Sequence, residues 1–261
     1  MKKLLLFLLI IAIGFIIYEN RPKEIHHTTA QITDKIGQGN LILINKETKL
    51  QLEPLNLVKI PTSISSNVYV NGPLYIEEMA LNSLQILFKA ANKDGVKYFK
   101  LNSAFRNHVS QQLLYEQNGE AYALPAGYSE HQSGLAVDIG STEGMMEGSI
   151  EALWLAEHAH EYGFVLRYPA HKSSITGISF EPWHYRYVGL PHSVIMYEQD
   201  LVLEEYIEKL ERGEKIITEI DNAIFQVEYK LEEELPLFTD VAFNISGNNR
   251  HGFILTTIKN N

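Results

Sequence analysis

An aspartate stands inside an apolar run, Leu135-Ala136-Val137-Asp138-Ile139, and it constrains the chain more than any other feature. A run of that composition reads as a buried strand. A carboxylate buried there needs a charge partner or a metal, because removing its water is costly. His131 lies seven residues upstream, and His184 closes the later stretch Glu181-Pro182-Trp183-His184. Two imidazoles and one carboxylate are three good zinc ligands, a set that leaves the fourth position for water. Glu181, three residues before His184, is a spare carboxylate able to take that water's proton. A seven-residue offset on a regular strand would put His131 and Asp138 on opposite faces. Gly134 between them permits a bend or bulge that turns both inward.

Composition narrows the chemistry further. The chain has no cysteine, which excludes disulfides, thiolate metal sites, a cysteine nucleophile and a lipid anchor on cysteine. Any metal must be held by His, Asp and Glu. No Gly-x-Ser-x-Gly elbow and no Ser-x-x-Lys occurs, so Ser103, Ser129 and Ser133 lack the setting of an activated nucleophile. The net charge of -10 argues against a nucleic-acid partner, which needs a basic surface. With 261 residues, 45% of them hydrophobic, the chain can hold one large domain and a small addition.

Met1-Lys2-Lys3 precedes an apolar run from Leu4 to Tyr18, the pattern of an export signal. No small-x-small site follows, so residues 1–18 read as an uncleaved signal anchor. Fifteen helical residues reach about 22 Å, and snorkelling Lys3 and Arg21 make up the rest of a ~30 Å hydrocarbon core. The leading lysines keep the N-terminus inside and put the remainder outside the membrane. Residues 19–38 are polar and read as a linker. Residues 39–212 then form the catalytic domain and 213–261 a small β-rich extension.

Within the domain, Gly39 to Asn45 reads as a first strand and Pro54 to Pro73 as irregular. Ile76, Met79, Ala80, Leu84, Leu87 and Phe88 fall on one helical stripe, ended by Asp94-Gly95. Tyr98 to Ser103 is a strand, and Val109 to Gln117 a helix. Ala121 to Tyr128 is a loop that delivers the chain to His131. Ser149 to Tyr162 is a helix capped by Ser149 and closed by Gly163. Phe164 to Tyr168 is a strand, Phe180 to Val188 an extended segment, and Pro191 to Leu210 one helix. Beyond Glu214, Lys215–Ile220, Ala223–Tyr229 and Phe253–Ile258 read as strands. His158 and His160 lie two apart on the Ser149 helix and do not share a face, while His108, His171 and His192 lack a nearby acid in a comparable apolar setting, so none of the five is favoured as a metal ligand.

Arg106 sits at a strand-to-helix turn in Ser103-Ala104-Phe105-Arg106, where a fixed guanidinium can bind a carboxylate or a developing oxyanion. Trp183 either packs beneath a metal site, faces the substrate, or is plain core.

Taken together, Ser129-x-His131-x-x-Gly134-x-Ala136-x-Asp138 and Glu181-x-Trp183-His184-x-Arg186-Tyr187-Val188-Gly189 resemble the zinc D,D-carboxypeptidases of the VanY type, relatives of VanX-type dipeptidases. The similarity runs from about Asn40 to Leu210. It implies an α+β fold, a small central antiparallel sheet flanked by helices with zinc in a surface cleft. It implies one Zn2+ held by His131, Asp138 and His184, with Glu181 as base and Arg106 on the scissile carbonyl or oxyanion. Gln111 and Ser129 fall where relatives position the terminal residue and its carboxylate, and Tyr128 and Trp183 join them as substrate-binding candidates. The implied substrate is a peptidoglycan precursor or stem peptide ending in D-Ala-D-Ala. Loss of the last D-alanine would remove the ligand of vancomycin-like antibiotics. The same metal site would serve an L,D-carboxypeptidase; a D-Ala-D-Ala dipeptidase fits the anchor less well, since free dipeptide is a cytoplasmic substrate, and a metal- or wall-binding module would have no use for Glu181. Relatives often carry Ser-Gly-Tyr-Arg before the arginine, whereas Ala104 and Phe105 stand here.

Overall fold

The computed structural model describes residues 36–120, 122–235 and 242–260. The apolar run Leu4–Tyr18 and most of the linker lie outside the described residues. Among the described residues, no helix is long and apolar enough to cross a membrane.

In chain order the strands and helices are β1 (Leu57–Lys59), β2 (Val68–Val70), β3 (Tyr75–Glu77), α1 (Glu78–Lys93), β4 (Phe99–Ser103), α2 (His108–Asn118), β5 (Ala136–Ser141), α3 (Ile150–His158), β6 (Phe164–Leu166), α4 (Ser173–Thr176), β7 (His184–Tyr187), α5 (His192–Glu198), α6 (Leu203–Glu211), β8 (Ile216–Ile220), β9 (Ala223–Lys230), β10 (Ala242–Gly247) and β11 (Phe253–Asn260). The fold is mixed α+β. The central sheet runs β2-β4-β5-β7-β6. It is antiparallel except where β2 pairs parallel to β4.

The first core lies between this sheet and α1. Ala80, Leu84, Leu87, Phe88 and Ala91 of α1 are buried, and the Phe88 and Phe99 rings meet at 5.2 Å. Met79, expected on the same stripe, is 45% exposed. Ile76, expected on that stripe too, lies before the helix on β3 and enters the core from there. The helix ends where Gly95 takes a positive φ of 81°, as its Asp-Gly sequence implies.

Several expected elements differ. Gly39 to Asn45 is not a strand. It is buried irregular chain held from outside, with Leu43 N donating to the Asn248 carbonyl and Leu41 N to the Ser246 hydroxyl. Pro54 to Pro73 contains the short strands β1 and β2. The helix expected over Pro191 to Leu210 is broken into α5 and α6. Asp200 there adopts φ 50°, a left-handed conformation that a continuous helix cannot contain. Ser149 caps α3 through Ala152 N at 3.1 Å, but the last turn tightens to 3-10 before Gly163.

The C-terminal strands form a second, antiparallel sheet ordered β10-β11-β9-β8. Its Val227 and Ile254 share one apolar cluster with Leu41, Val188, Ile195, Tyr206 and Leu210. His192 is buried in that seam, 2.8 Å from the Tyr206 hydroxyl and 3.3 Å from Thr256 Oγ1. Burial pushes its pKa down to about 3. The unfolded chain, with an ordinary imidazole near 6.5, therefore binds the extra proton first as pH falls. The folded protein should lose about 2 kcal/mol of stability between pH 6.5 and 5 from this residue. Denaturant titrations at the two pH values check it: His192→Gln should flatten the difference, and an unchanged slope would clear His192 of the effect.

Candidate metal centre

Three adjacent strands bring the site into register. Ser103 on β4 pairs with Asp138 on β5, and Asp138 pairs with His184 on β7. His131 does not lie on a strand. Residues Glu130–Ser133 form a 3-10 turn that ends at Gly134, whose φ is 71°. A Cβ at Gly134 would stand 2.8 Å from Leu57 Cδ2, so both conformation and space call for glycine. The bend expected there exists, and it returns His131 over Asp138.

His131 Nε2 lies 3.3 Å from Asp138 Oδ2, and His184 Nδ1 lies 3.3 Å from Asp138 Oδ1. The three ligand atoms lie within 4.8 Å of one another, the one such group among the described residues. His131 Nδ1 is 2.7 Å from the Ala104 carbonyl, so it carries the proton and Nε2 keeps its lone pair. His184 Nε2 faces Glu130 at 3.4 Å, which directs Nδ1 to the same point.

These residues fit zinc on their own terms. Asp138 Oδ1 is buried without a hydrogen-bond partner, the condition of a ligand atom awaiting a cation. The donor set of two nitrogens and one carboxylate oxygen suits a catalytic zinc site.

Glu181 reaches the centre through a turn, not the extended segment expected. His184 N donates to the Glu181 carbonyl at 3.2 Å, with Pro182 at the position whose φ proline presets. The turn places Glu181 Oε2 3.6 Å from His184 Nδ1. Burial raises the Glu181 pKa and the Asp138 charge adds to this, while the His184 imidazole opposes it. A carboxylate raised in this way is a better proton acceptor.

Arg106 is fixed from three sides. Its Nη1 donates to Gln111 Oε1 at 2.7 Å, its Nη2 to Ser103 Oγ at 3.1 Å, and its backbone N to the His131 carbonyl at 3.0 Å. Ala104 keeps its side chain buried and its carbonyl on His131. Gln111 is buried, its amide nitrogen spent on the Leu124 carbonyl. Ser129 is buried at the start of the 3-10 turn, and Tyr128 is half-buried beside it. Trp183 is 40% exposed, at the surface and not in the core.

Sequence reasoning missed a buried ionic cluster behind His184. Glu130 Oε1 accepts from Arg167 Nε at 2.8 Å and from Arg186 Nη1 at 2.6 Å. Arg167 makes a bidentate pair with Glu204 on α6, at 2.8 and 2.6 Å. The Tyr168 ring packs 4.9 Å from that of His184. One signal was available: Arg186 stands two residues after His184 on a strand, hence on the same face.

A family profile described as VanY, D-alanyl-D-alanine carboxypeptidase, matches residues 73–190. A D-alanyl-D-alanine carboxypeptidase of Enterococcus faecium is 38% identical over 92% of this chain and 84% of its own length. The chain belongs to the VanY family. Among solved structures, the vancomycin-resistance D,D-dipeptidase VanXYg, in complex with a D-Ala-D-Ala phosphinate analogue, superposes with a TM-score of 0.75 at 30% identity. That match covers 87% of this chain and 96% of that one. The vancomycin-resistance D,D-pentapeptidase VanY, solved with Zn(II), gives 0.56 at 33% identity over 64% of this chain and 98% of that one. The VanY resemblance expected from the two motifs therefore holds, and with it the mixed α+β fold.

Proposed function

We propose that this VanY-family chain is a zinc-dependent D,D-carboxypeptidase that removes the terminal D-alanine from peptidoglycan peptides ending in D-Ala-D-Ala. The observation that carries the reading is the convergence of His131, Asp138 and His184, with Glu181 Oε2 3.6 Å from a ligand nitrogen. The relative's name and the D-Ala-D-Ala analogue bound to VanXYg support the substrate class.

His131 Nε2, Asp138 and His184 Nδ1 hold one Zn2+ per chain in this reading. When bound, zinc supplies a Lewis acid and lowers the pKa of its water. Glu181 takes the proton of the attacking water and returns it to the leaving amine of D-alanine. The Arg106 guanidinium, fixed by Gln111 and Ser103, stabilises the oxyanion that develops at the scissile carbonyl. Gln111 acts on substrate through Arg106, while Tyr128, Ser129 and Trp183 border the peptide. No residue forms a covalent intermediate, so β-lactams should not acylate the enzyme. Residues 39–212 carry this chemistry, and 1–18 anchor it to the outer face of the cell membrane. Support for the anchor is Lys2 and Lys3 ahead of Leu4–Tyr18. A contribution to glycopeptide resistance would follow from the product lacking its terminal D-alanine.

VanXYg is described as a dipeptidase, which makes free D-Ala-D-Ala the second candidate substrate. The test follows D-alanine release from a pentapeptide ending in D-Ala-D-Ala, a tetrapeptide ending in one D-Ala, and free D-Ala-D-Ala. Release should be fastest from the pentapeptide and should stop with a chelator and return with zinc. Predominant release from the tetrapeptide would replace the reading with L,D-cleavage, and predominant release from the free dipeptide with dipeptidase activity. Undiminished release after chelation would remove the metal mechanism.

A further inference from the structure

Glu130 is fully buried and its two carboxylate oxygens are divided between two tasks. Oε1 accepts from both Arg167 and Arg186, so it cannot turn toward the metal centre. Oε2 is left facing His184 Nε2 at 3.4 Å. The arginines are themselves immobilised. Arg186 Nη2 donates to the carbonyls of Asn40 and Ile42, at 3.1 and 2.8 Å, and its Nε to the Tyr187 carbonyl. Arg167 is held by both oxygens of Glu204. A carboxylate with one oxygen anchored by two guanidiniums is a rigid acceptor. An imidazole that donates one N–H to such an acceptor keeps its other nitrogen deprotonated, directed and more basic toward a metal.

We infer that Glu130 is a positioning residue of the metal centre: clamped by Arg167 and Arg186, it fixes the ring and tautomer of His184 so that Nδ1 receives zinc. This rests on the reading that His131, Asp138 and His184 hold zinc. His131 and His184 are thus set by unlike partners, a backbone carbonyl and a clamped carboxylate. Loss of one second-layer partner of this kind weakens metal binding by about 10–100-fold.

The experiment titrates zinc into metal-free protein against a chromophoric chelator, first wild type and then Glu130→Gln, with circular dichroism to show that both are folded. Failure of the wild type to take up one zinc would sink the underlying reading. With wild type binding, Glu130→Gln should bind about 10–100-fold more weakly. A folded Glu130→Gln that binds within twofold of wild type overturns the inference, because a purely structural role changes stability and leaves the folded protein's affinity alone. Should the variant not fold, histidine nitrogen NMR on zinc-loaded wild type decides. A protected Nε2–H on His184 with Nδ1 metal-bound supports the assignment, and a rapidly exchanging Nε2–H or the opposite tautomer overturns it.

Discussion

Glu181→Gln should lower kcat for D-alanine release by about 10²–10⁴-fold while zinc remains bound. Glutamine keeps the size and hydrogen-bonding reach of the side chain and removes its capacity to hold a proton. The position matters because Glu181 Oε2 lies 3.6 Å from His184 Nδ1, on the turn that also delivers that ligand. It is 26% exposed, so water can reach it while its carboxyl remains partly desolvated. Metal analysis of the purified variant must show zinc at the wild-type level. Near-normal turnover in that zinc-loaded variant would exclude Glu181 as the base. A lost zinc would mean instead that Glu181 helps to hold the metal.

Replacing Arg186 by methionine should lower stability by about 3–5 kcal/mol, on the order of 10 °C in Tm for a chain of this size. The guanidinium is fully buried and serves Glu130 together with the Asn40, Ile42 and Tyr187 carbonyls. Methionine fills much of the volume but leaves those acceptors short of donors, and leaves Glu130 with one arginine instead of two. Calorimetry on the metal-free protein isolates this effect from zinc binding. Arg212→Met is the comparison, because the Arg212–Glu208 pair on the surface is 69% and 56% exposed and contributes little. A Tm drop for Arg186→Met no larger than that for Arg212→Met would show that the buried cluster is not a source of stability.

The sequence exposes the candidate metal centre because its chemistry is anomalous there. An acid within Leu-Ala-Val-Asp-Ile has few innocent explanations, and the motifs about it carry the family resemblance. What it hid are features whose meaning is set by tertiary partners. Glu130 sits between Ser129 and His131 and reads as an ordinary surface acid until Arg167 and Arg186, 37 and 56 residues away, are seen to meet it. The segment Gly39–Ile44 has the composition of a strand, yet its neighbours supply side-chain and isolated backbone partners where a ladder would be needed. β10 escaped notice because Asn244, Ser246 and Gly247 disfavour strands, and its pairing with β11 overrides that preference. The break between α5 and α6 rests on one left-handed residue, Asp200, which periodicity does not register. The Glu181–His184 turn was likewise concealed, because Pro182 restricts one dihedral angle and leaves open whether the chain extends or folds back.

The shared cluster of α6 with the C-terminal sheet sets a rule for trimming this enzyme. A chain cut after residue 212 would uncover Tyr206, Ile207 and Leu210, which lose Ile216, Val227 and Ile254 as packing partners. It would also free Glu211 from Asn248 and Arg250. The helix so exposed is the one whose Glu204 grips Arg167. A shortened form of this enzyme therefore has to keep the final strands as part of the body that holds α6 in place.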